Sequence, residues 1–138
     1  MTIEIYSTVQ SAFDTAIKGI TGLPVFISED QQYAPKLNIP FMRVRMYPAT
    51  TQVFTITRSG WYKVNGVYQV SFFVSSNNKA ILANSYVDIL WSSFGRTTVL
   101  SANSLNIHVE KVSRMVAVTE TDWYQVPVSI NWYAFVQN

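Results

Sequence analysis

The chain has 138 residues, 49% of them hydrophobic, which predicts a single domain over residues 1–138 with a substantial core. Its net charge of +2 excludes a large basic field for nucleic acid, and the absence of cysteine excludes disulfides, thiolate nucleophiles and cysteine-bound metals. Charged residues make up only 13% and aromatic residues 14%. This combination favours a surface that other subunits cover, although a small domain with a generous core would also explain it.

A first helix is predicted over residues 2–18, because apolar side chains recur there at steps of three and four. Gly19 and Gly22 are placed to end it. Residues 23–28 form a short apolar segment that favours a strand, and residues 33–39 favour an extended loop. A second strand is predicted over residues 41–47, where the alternation of side chains has the period of a half-buried strand.

The next segment, residues 49–59, is rich in Thr and Ser and poor in charge, which is typical of a hairpin or a flexible arm. Val53, Phe54 and Ile56 are too few to form a core of their own, yet they are worth burying on a partner. We therefore predict an arm that binds a partner and exchanges its amide hydrogens quickly when the subunit is alone.

Residues 60–94 predict a packing unit of a long strand, a break and an amphipathic helix. Residues 75–78 offer capping oxygens, the helical period begins at Lys79, and Gly95 ends the helix. The apolar face of the strand and the apolar stripe of the helix should pack together. Those positions are Tyr68, Val70, Phe72 and Val74 on the strand, and Leu82, Tyr86, Ile89 and Leu90 on the helix.

The last third of the chain predicts strands. After a polar connection over residues 97–104, one strand covers residues 105–109 and another covers residues 114–118, with a turn near residues 111–113. Residues 123–135 predict a second long strand. Its Pro127 cannot donate to a ladder, which predicts that the strand lies at a sheet edge or bulges there.

The order of elements is helix, strands, helix, strands, with short turns between neighbouring strands. It predicts an α+β fold, specifically a two-layer sandwich with a mainly antiparallel sheet and two helices packed on one face.

Residues that carry chemistry are scarce. His108 is the only histidine, and a lone histidine provides neither a metal site nor a nucleophile–base pair. The adjacent acids Glu29 and Asp30 lie in a polar loop, where solvated charge is the usual role. The sequence has no glycine-rich phosphate loop and no nucleophile elbow. We therefore expect no enzyme, no catalytic residue, no metal and no cofactor.

Arginine and aromatic side chains are instead candidates for a protein interface, because interface cores favour both. Two interpretations stay open for them: contacts between subunits or with a partner, or solvated arginines beside aromatic residues that cap the core. The candidate interface residues are Arg43, Arg45, Val53, Phe54, Ile56, Trp61, Tyr62 and Trp123.

Three stretches carry a family resemblance. Phe-Met-Arg-Val at residues 41–44 follows a proline and precedes a polar loop, and Tyr-Gln-Val at residues 68–70 lies in the long strand. Trp-Tyr-Gln-Val-Pro-Val-Ser-Ile at residues 123–130 begins the last strand. In this order they resemble the tail terminator, or tail-completion, proteins of long-tailed bacteriophages, a family that includes lambda-like minor tail protein U. The element order and the chain length fit that family too.

The resemblance implies a homo-oligomeric ring, usually a hexamer, that caps the tail tube, ends tube polymerisation and offers a joining surface to the head connector. The implied partners are the tail tube protein and a head-closure or connector protein. Viral double-stranded DNA would pass through the ring without sequence recognition. The implied location is the head-proximal end of the virion tail.

The sequence also predicts folding in the host cytoplasm without a membrane partner. No apolar run reaches the about 18 residues that a membrane span needs, and the N-terminus lacks the basic-then-apolar order of a signal peptide. Two alternatives to a terminator remain. One is another neck or tail component, such as a head-closure or tube protein. The other is a small-ligand-binding or enzymatic α+β module, which a polar pocket with perturbed carboxylates would favour.

Overall fold

The computed structural model describes residues 5–36, 38–48, 61–75, 80–95, 98–103, 105–120 and 122–137. They form a mixed α+β fold of two helices and a curled, mostly antiparallel sheet. The helices are α1 (Ile5–Lys18) and α2 (Ala80–Ser93), and neither is long and apolar enough to cross a membrane. The strands are β1 (Val25–Ile27), β2 (Phe41–Pro48), β3 (Trp61–Ser75), β4 (Val99–Ala102), β5 (Leu105–Arg114), β6 (Val118–Thr119) and β7 (Trp123–Gln137).

The two longest strands, β3 and β7, form the centre of the sheet. The strand order is β1-β2-β3-β7-β5-β4, and β6 also pairs with β7. β1 and β2 are parallel, whereas all other described pairs are antiparallel. β3 and β7 are in register along their whole length, from Trp61 opposite Gln137 to Ser75 opposite Trp123. This long ladder fixes which side chains share each face of the sheet.

The core lies against the face formed by even-numbered residues of β2, β3 and β7. The alternation predicted for β3 is confirmed. The ring of Phe13 in α1 stacks on Tyr68 at 4.7 Å, and the ring of Tyr86 in α2 lies 5.6 Å from Phe72. The predicted packing of Phe72 under Tyr86 is therefore confirmed, whereas Tyr68 lies under α1. Side chains of the three strands with at most 1% exposure are Met42, Val44, Tyr68, Val70, Phe72, Val74, Val126, Val128, Ile130, Trp132 and Ala134.

The last third of the chain differs from the prediction in three strands. The prediction of a strand over residues 114–118 is wrong, because residues 115–117 are not in a strand and the short strand β6 begins only after them. The predicted polar connection over residues 97–104 contains β4, which pairs with β5. The predicted turn near residues 111–113 is wrong, because β5 continues through it to Arg114. A register shift between Val109 and Lys111 absorbs one extra residue, so Val112 still faces Ile130 of β7 in the core.

Pro127 lies inside the sheet, so the predicted edge or bulge position is wrong. β7 has β3 along one side and β5 and β6 along the other, and Pro127 faces Ser71 without a register shift. Its carbonyl accepts a hydrogen bond from the Met115 N–H at 2.9 Å. Since the N–H and C=O of one strand residue point to the same side, the missing N–H falls beside Met115. There β5 has ended and β6 has not begun, so no ladder bond is lost.

Candidate interaction surface

The outer sheet face, formed by odd-numbered residues of β2, β3 and β7, points away from the core. The register places Arg43 beside Ser71 and Arg45 beside Gln69, and Gln125 lies beyond them in β7. Described positions of this face in the three strands include three cations and no carboxylate. Its members are Phe41, Arg43, Arg45, Tyr47, Lys63, Asn65, Val67, Gln69, Ser71, Phe73, Trp123, Gln125, Pro127, Ser129, Asn131, Tyr133 and Phe135.

A cleft of about 200 Å³ with a mixed polar and apolar lining lies on the outer sheet face, lined by Arg43, Arg45, Tyr47, Gln69, Ser71, Phe73 and Gln125. Arg43 is half-buried, and its Nη1 donates to the Gln31 carbonyl at 3.5 Å. Arg45 is exposed. Guanidinium groups beside amide and hydroxyl side chains form a donor-rich surface, which suits carboxylates that bind two N–H groups at once.

Aromatic side chains close one end of this face. The Phe41 ring lies between Phe73, stacked at 4.6 Å, and Trp123, which meets it edge-on at 5.1 Å. Tyr33 from the preceding loop adds a third ring at 5.1 Å. Only 3% of Phe41 is exposed. Trp123 therefore caps an aromatic cluster within the subunit, and its half-buried ring leaves a part accessible to a partner.

A second aromatic group lies at the opposite end. The Tyr133 ring stacks on His108 at 4.9 Å, and Phe135 meets it edge-on at 5.8 Å. The Lys63 Nζ lies over the same ring at 4.9 Å from its centre, in a cation–π contact. His108 is thus half-buried against a neighbouring ring on the side away from Ile107 and Val109, as the alternation of β5 predicts.

The predicted interface residues fall into three groups. Arg43 and Arg45 line one cleft of the outer sheet face, and Trp123 lies on the same face in the aromatic cluster around Phe41. Trp61 and Tyr62 begin β3, as predicted, but their side chains lie outside the described part of the structure. The arm residues Val53, Phe54 and Ile56, and with them the whole predicted arm, also lie outside the described residues.

The solvent side of α2 carries apolar groups that the helical pattern did not single out. Ile81 is 85% exposed and Trp91 is 57% exposed, on the same side as Asn84 and Asp88. Arg114 at the end of β5 donates from Nε to the Asn84 Oδ1 at 3.0 Å. Two large apolar residues, Ile81 and Trp91, inside an otherwise polar helix face are the signal in the sequence that could have indicated this surface.

The polar pair formed by Asp14 and Tyr68 was also not predicted. The Tyr68 hydroxyl donates a hydrogen bond to the Asp14 carboxylate at the boundary of α1 and the sheet. Burial raises the pKa of Asp14 above its ordinary 3.8, although the hydrogen bond from Tyr68 opposes the shift. The pKa of Tyr68 is raised as well, by its own burial and by the neighbouring carboxylate.

Asp14 lines a polar cleft of about 340 Å³, here named the α1–β1 cleft, whose lining residues are Ser7, Gln10, Ser11, Asp14, Thr15, Lys18, Ser28, Glu29 and Asp30. The prediction of solvated charge is wrong for Glu29, which is half-buried. Its Oε2 accepts hydrogen bonds from the Gln10 side chain at 2.8 Å and from the Met46 N–H at 3.3 Å. Asp30 is exposed, as predicted.

The raised pKa of Asp14 predicts that stability falls as pH rises through it. The folded protein binds the proton of the Asp14 carboxyl more tightly than the unfolded chain does. Protonated Asp14 therefore contributes fully to stability below the unfolded pKa, and this contribution is lost as the pH rises through the folded pKa. Asp14→Asn keeps an oxygen for the Tyr68 hydroxyl but cannot ionise. We therefore compare the denaturant midpoints at about pH 3 and about pH 7. The decrease between these two pH values should be smaller for Asp14→Asn than for the unchanged protein.

The exposed Asp88 of α2 offers a matched control, since Asp88→Asn removes the same charge from a solvated site. That variant should follow the pH profile of the unchanged protein. Identical profiles for the unchanged protein and Asp14→Asn would contradict the raised pKa.

Within the described ranges, no group of three or more His, Asp or Glu side chains is arranged to hold a metal ion. What the described residues build is a set of surfaces: a basic, aromatic outer sheet face, an acidic cleft beside α1, and a polar side of α2 that also exposes Ile81 and Trp91.

A family profile described as phage tail terminator protein matches residues 4–132. One solved structure is similar over 97% of this chain and 94% of its own, with a TM-score of 0.69 and 19% sequence identity, which shows a shared fold. None of the curated proteins matches the sequence.

Proposed function

This chain belongs to the phage tail terminator family, and from that premise we propose that it caps the tail tube as a closed ring, most simply a hexamer. Membership makes it a structural protein of a bacteriophage tail, in a family that works with tail and head components. In our proposal the ring ends tube polymerisation and presents a joining surface to the head-closure or connector protein at the head-proximal end. Viral DNA passes through its hole, and the chain performs no catalysis.

The outer sheet face is the observation that carries this proposal. α1 and α2 contact residues on the core side of β3, through Phe13 and Tyr86, so we infer a two-layer arrangement in which both helices cover one face. The other face then remains for partners. It combines arginine with aromatic side chains, which interface cores favour, in a chain with only 13% charged residues.

A closed ring suits the task for a geometric reason. Identical subunits that meet through two different surfaces form a ring when the rotation closes and a filament when it does not. A terminator has to bind the tube on one side without offering a new tube-like end on the other. We therefore assign Arg43, Arg45, Trp61 and Trp123 to contacts between subunits. We assign the arm with Val53, Phe54 and Ile56 to contacts with a partner, because these side chains are too few to form a core of their own.

Mixing the purified protein with tail tubes of its own phage tests this function. We expect tubes of fixed length with a ring at one end, seen by electron microscopy. Arg43→Glu combined with Trp61→Ala should abolish the ring while circular dichroism stays unchanged. Lys36→Glu makes the same charge change in an exposed loop and should cap normally.

Each failure would have a separate meaning. If the unchanged protein never caps tubes, it is not a terminator, and incorporation along the tube would instead favour a tube component. If the double variant caps tubes normally, the assignment of contact residues is wrong.

A further inference from the structure

We propose that the outer sheet face of one subunit docks on the α1–β1 cleft of a second copy, so that copies associate head to tail. This inference rests on the proposed ring and names the two surfaces that would build it. The outer sheet face of one subunit is thus occupied by the acidic α1–β1 cleft of a second copy of this chain.

Basic and acidic groups lie at different places around β2. Arg43 and Arg45 lie on its outer face, where the described positions of β2, β3 and β7 include no carboxylate. At the edge of β2, Glu29 accepts hydrogen bonds from the Met46 N–H and from Gln10 of α1, and Asp14 and Asp30 line the same cleft. The two arginines and the three carboxylates therefore belong to two separate surfaces of the subunit.

The α1–β1 cleft is net acidic. Lys18 is the one cation among its described lining residues, and its Nζ lies 5.0 Å from the centre of the Phe26 ring, which holds the ammonium against β1. Three carboxylates remain, and Asp30 is exposed. Charge complementarity of this kind steers association and fixes orientation more than it adds affinity.

The geometry of the two surfaces also permits a contact between them. Arg45 is exposed and stands two residues from Arg43 on an extended strand, so both guanidinium groups project from one face. The cleft beside α1 has a volume of about 340 Å³ and is open to solvent, so side chains of a second copy can reach it. Two unlike surfaces on one chain make a heterologous contact, which is the kind that closes into rings.

A charge swap tests the pairing directly. Arg43→Glu with Arg45→Glu makes the outer sheet face acidic. Ser11→Lys with Asp30→Lys makes the cleft basic at two exposed positions and leaves the bonds of Glu29 and Asp14 in place. Each variant alone meets like charges, so its self-association, measured by analytical ultracentrifugation at about 0.1 M salt, should weaken about tenfold or more.

An equimolar mixture should restore association, because each altered surface then meets a complementary one on the other variant. Lys36→Glu reverses a charge at an exposed position outside both surfaces and should associate like the unchanged protein. Circular dichroism and thermal melting establish that all variants fold.

Three results would overturn the pairing: a mixture that stays dissociated, normal association of the cleft variant alone, or loss of duplex DNA binding as the sole effect of the arginine variant. Capping of tail tubes by the unchanged protein is measured in the same preparations. Normal capping with a failed charge swap refutes only this pairing. A successful swap without capping supports the pairing and refutes the terminator function.

Discussion

Phe72→Ala is expected to lower the free energy of unfolding by about 3–5 kcal/mol, the range for removing a large buried ring. Phe72 is 0% exposed and lies in β3 between Met42 of β2 and Val126 of β7. Its ring also contacts Tyr86 of α2. Because β3 is hydrogen-bonded on both sides, the backbone cannot move in to fill the cavity that the truncation leaves. Denaturant titration monitored by circular dichroism measures the change.

Phe73→Ala is the matched control, since it removes the same ring from the next residue of the same strand. Phe73 lies on the outer sheet face, where it is half-buried and stacks on Phe41. Its loss should cost less, about 1–2 kcal/mol, because part of the ring is already hydrated. Equal losses for the two variants, or a larger loss for Phe73→Ala, would contradict the assignment of the core to the even-numbered face.

Local periodicity was sufficient to predict the elements that have one clear apolar face. The period of two in β3 and the helical spacing in α1 and α2 each reflect burial directly, so residues such as Val70 and Leu90 were assigned correctly. Periodicity does not reveal which element packs against each apolar face. Tyr68 packs against Phe13 of α1, whereas Phe72 packs against Tyr86 of α2, because a strand of 15 residues is long enough for both helices.

The strand pairing of β7 shows why topology escaped the sequence. Proline correctly predicts that one ladder hydrogen bond is missing at Pro127. The missing N–H, however, affects only one side of the strand at one residue. β7 satisfies it by facing the gap between β5 and β6, without moving to a sheet edge. Likewise, the continuity of β5 depends on its ladder with β7 and on a bulge, which no spacing within β5 reveals.

The candidate site was predictable to the same extent. Alternation in β2 was enough to put Arg43 and Arg45 on one face, because it is a local property. The Trp123 contact with Phe41 joins strands distant in the sequence. Glu29 was assigned to solvent from the polarity of its neighbours, whereas tertiary structure supplies its donors, Gln10 and the Met46 N–H.

Gly66→Ala is expected to destabilise the fold by about 1–3 kcal/mol, although the new group is a single methyl. Gly66 faces Trp132 across the β3–β7 ladder. A Cβ there would lie 2.8 Å from the Trp132 Cζ2 and 3.0 Å from the Tyr47 carbonyl oxygen. Neither neighbour can yield easily, because one is a fully buried indole and the other is strand backbone. The entropic gain of replacing glycine, about 0.4–1 kcal/mol, offsets only part of the strain.

Two further variants test whether the clash with Trp132, and not the loss of a glycine as such, causes the destabilisation. Gly95→Ala adds the same methyl where the nearest atom, the Trp91 carbonyl oxygen, is 3.7 Å away, so its unfolding free energy should stay within about 0.5 kcal/mol. Trp132→Phe shortens the opposing ring, and the Trp132 Nε1 has no hydrogen-bond partner among the described residues, so no bond is lost. If the clash is the cause, Gly66→Ala should cost less with Trp132→Phe than alone, with a coupling of about 0.5–2 kcal/mol in a double-mutant cycle. Strict additivity would instead mean that glycine is required at residue 66 for a reason unrelated to the indole.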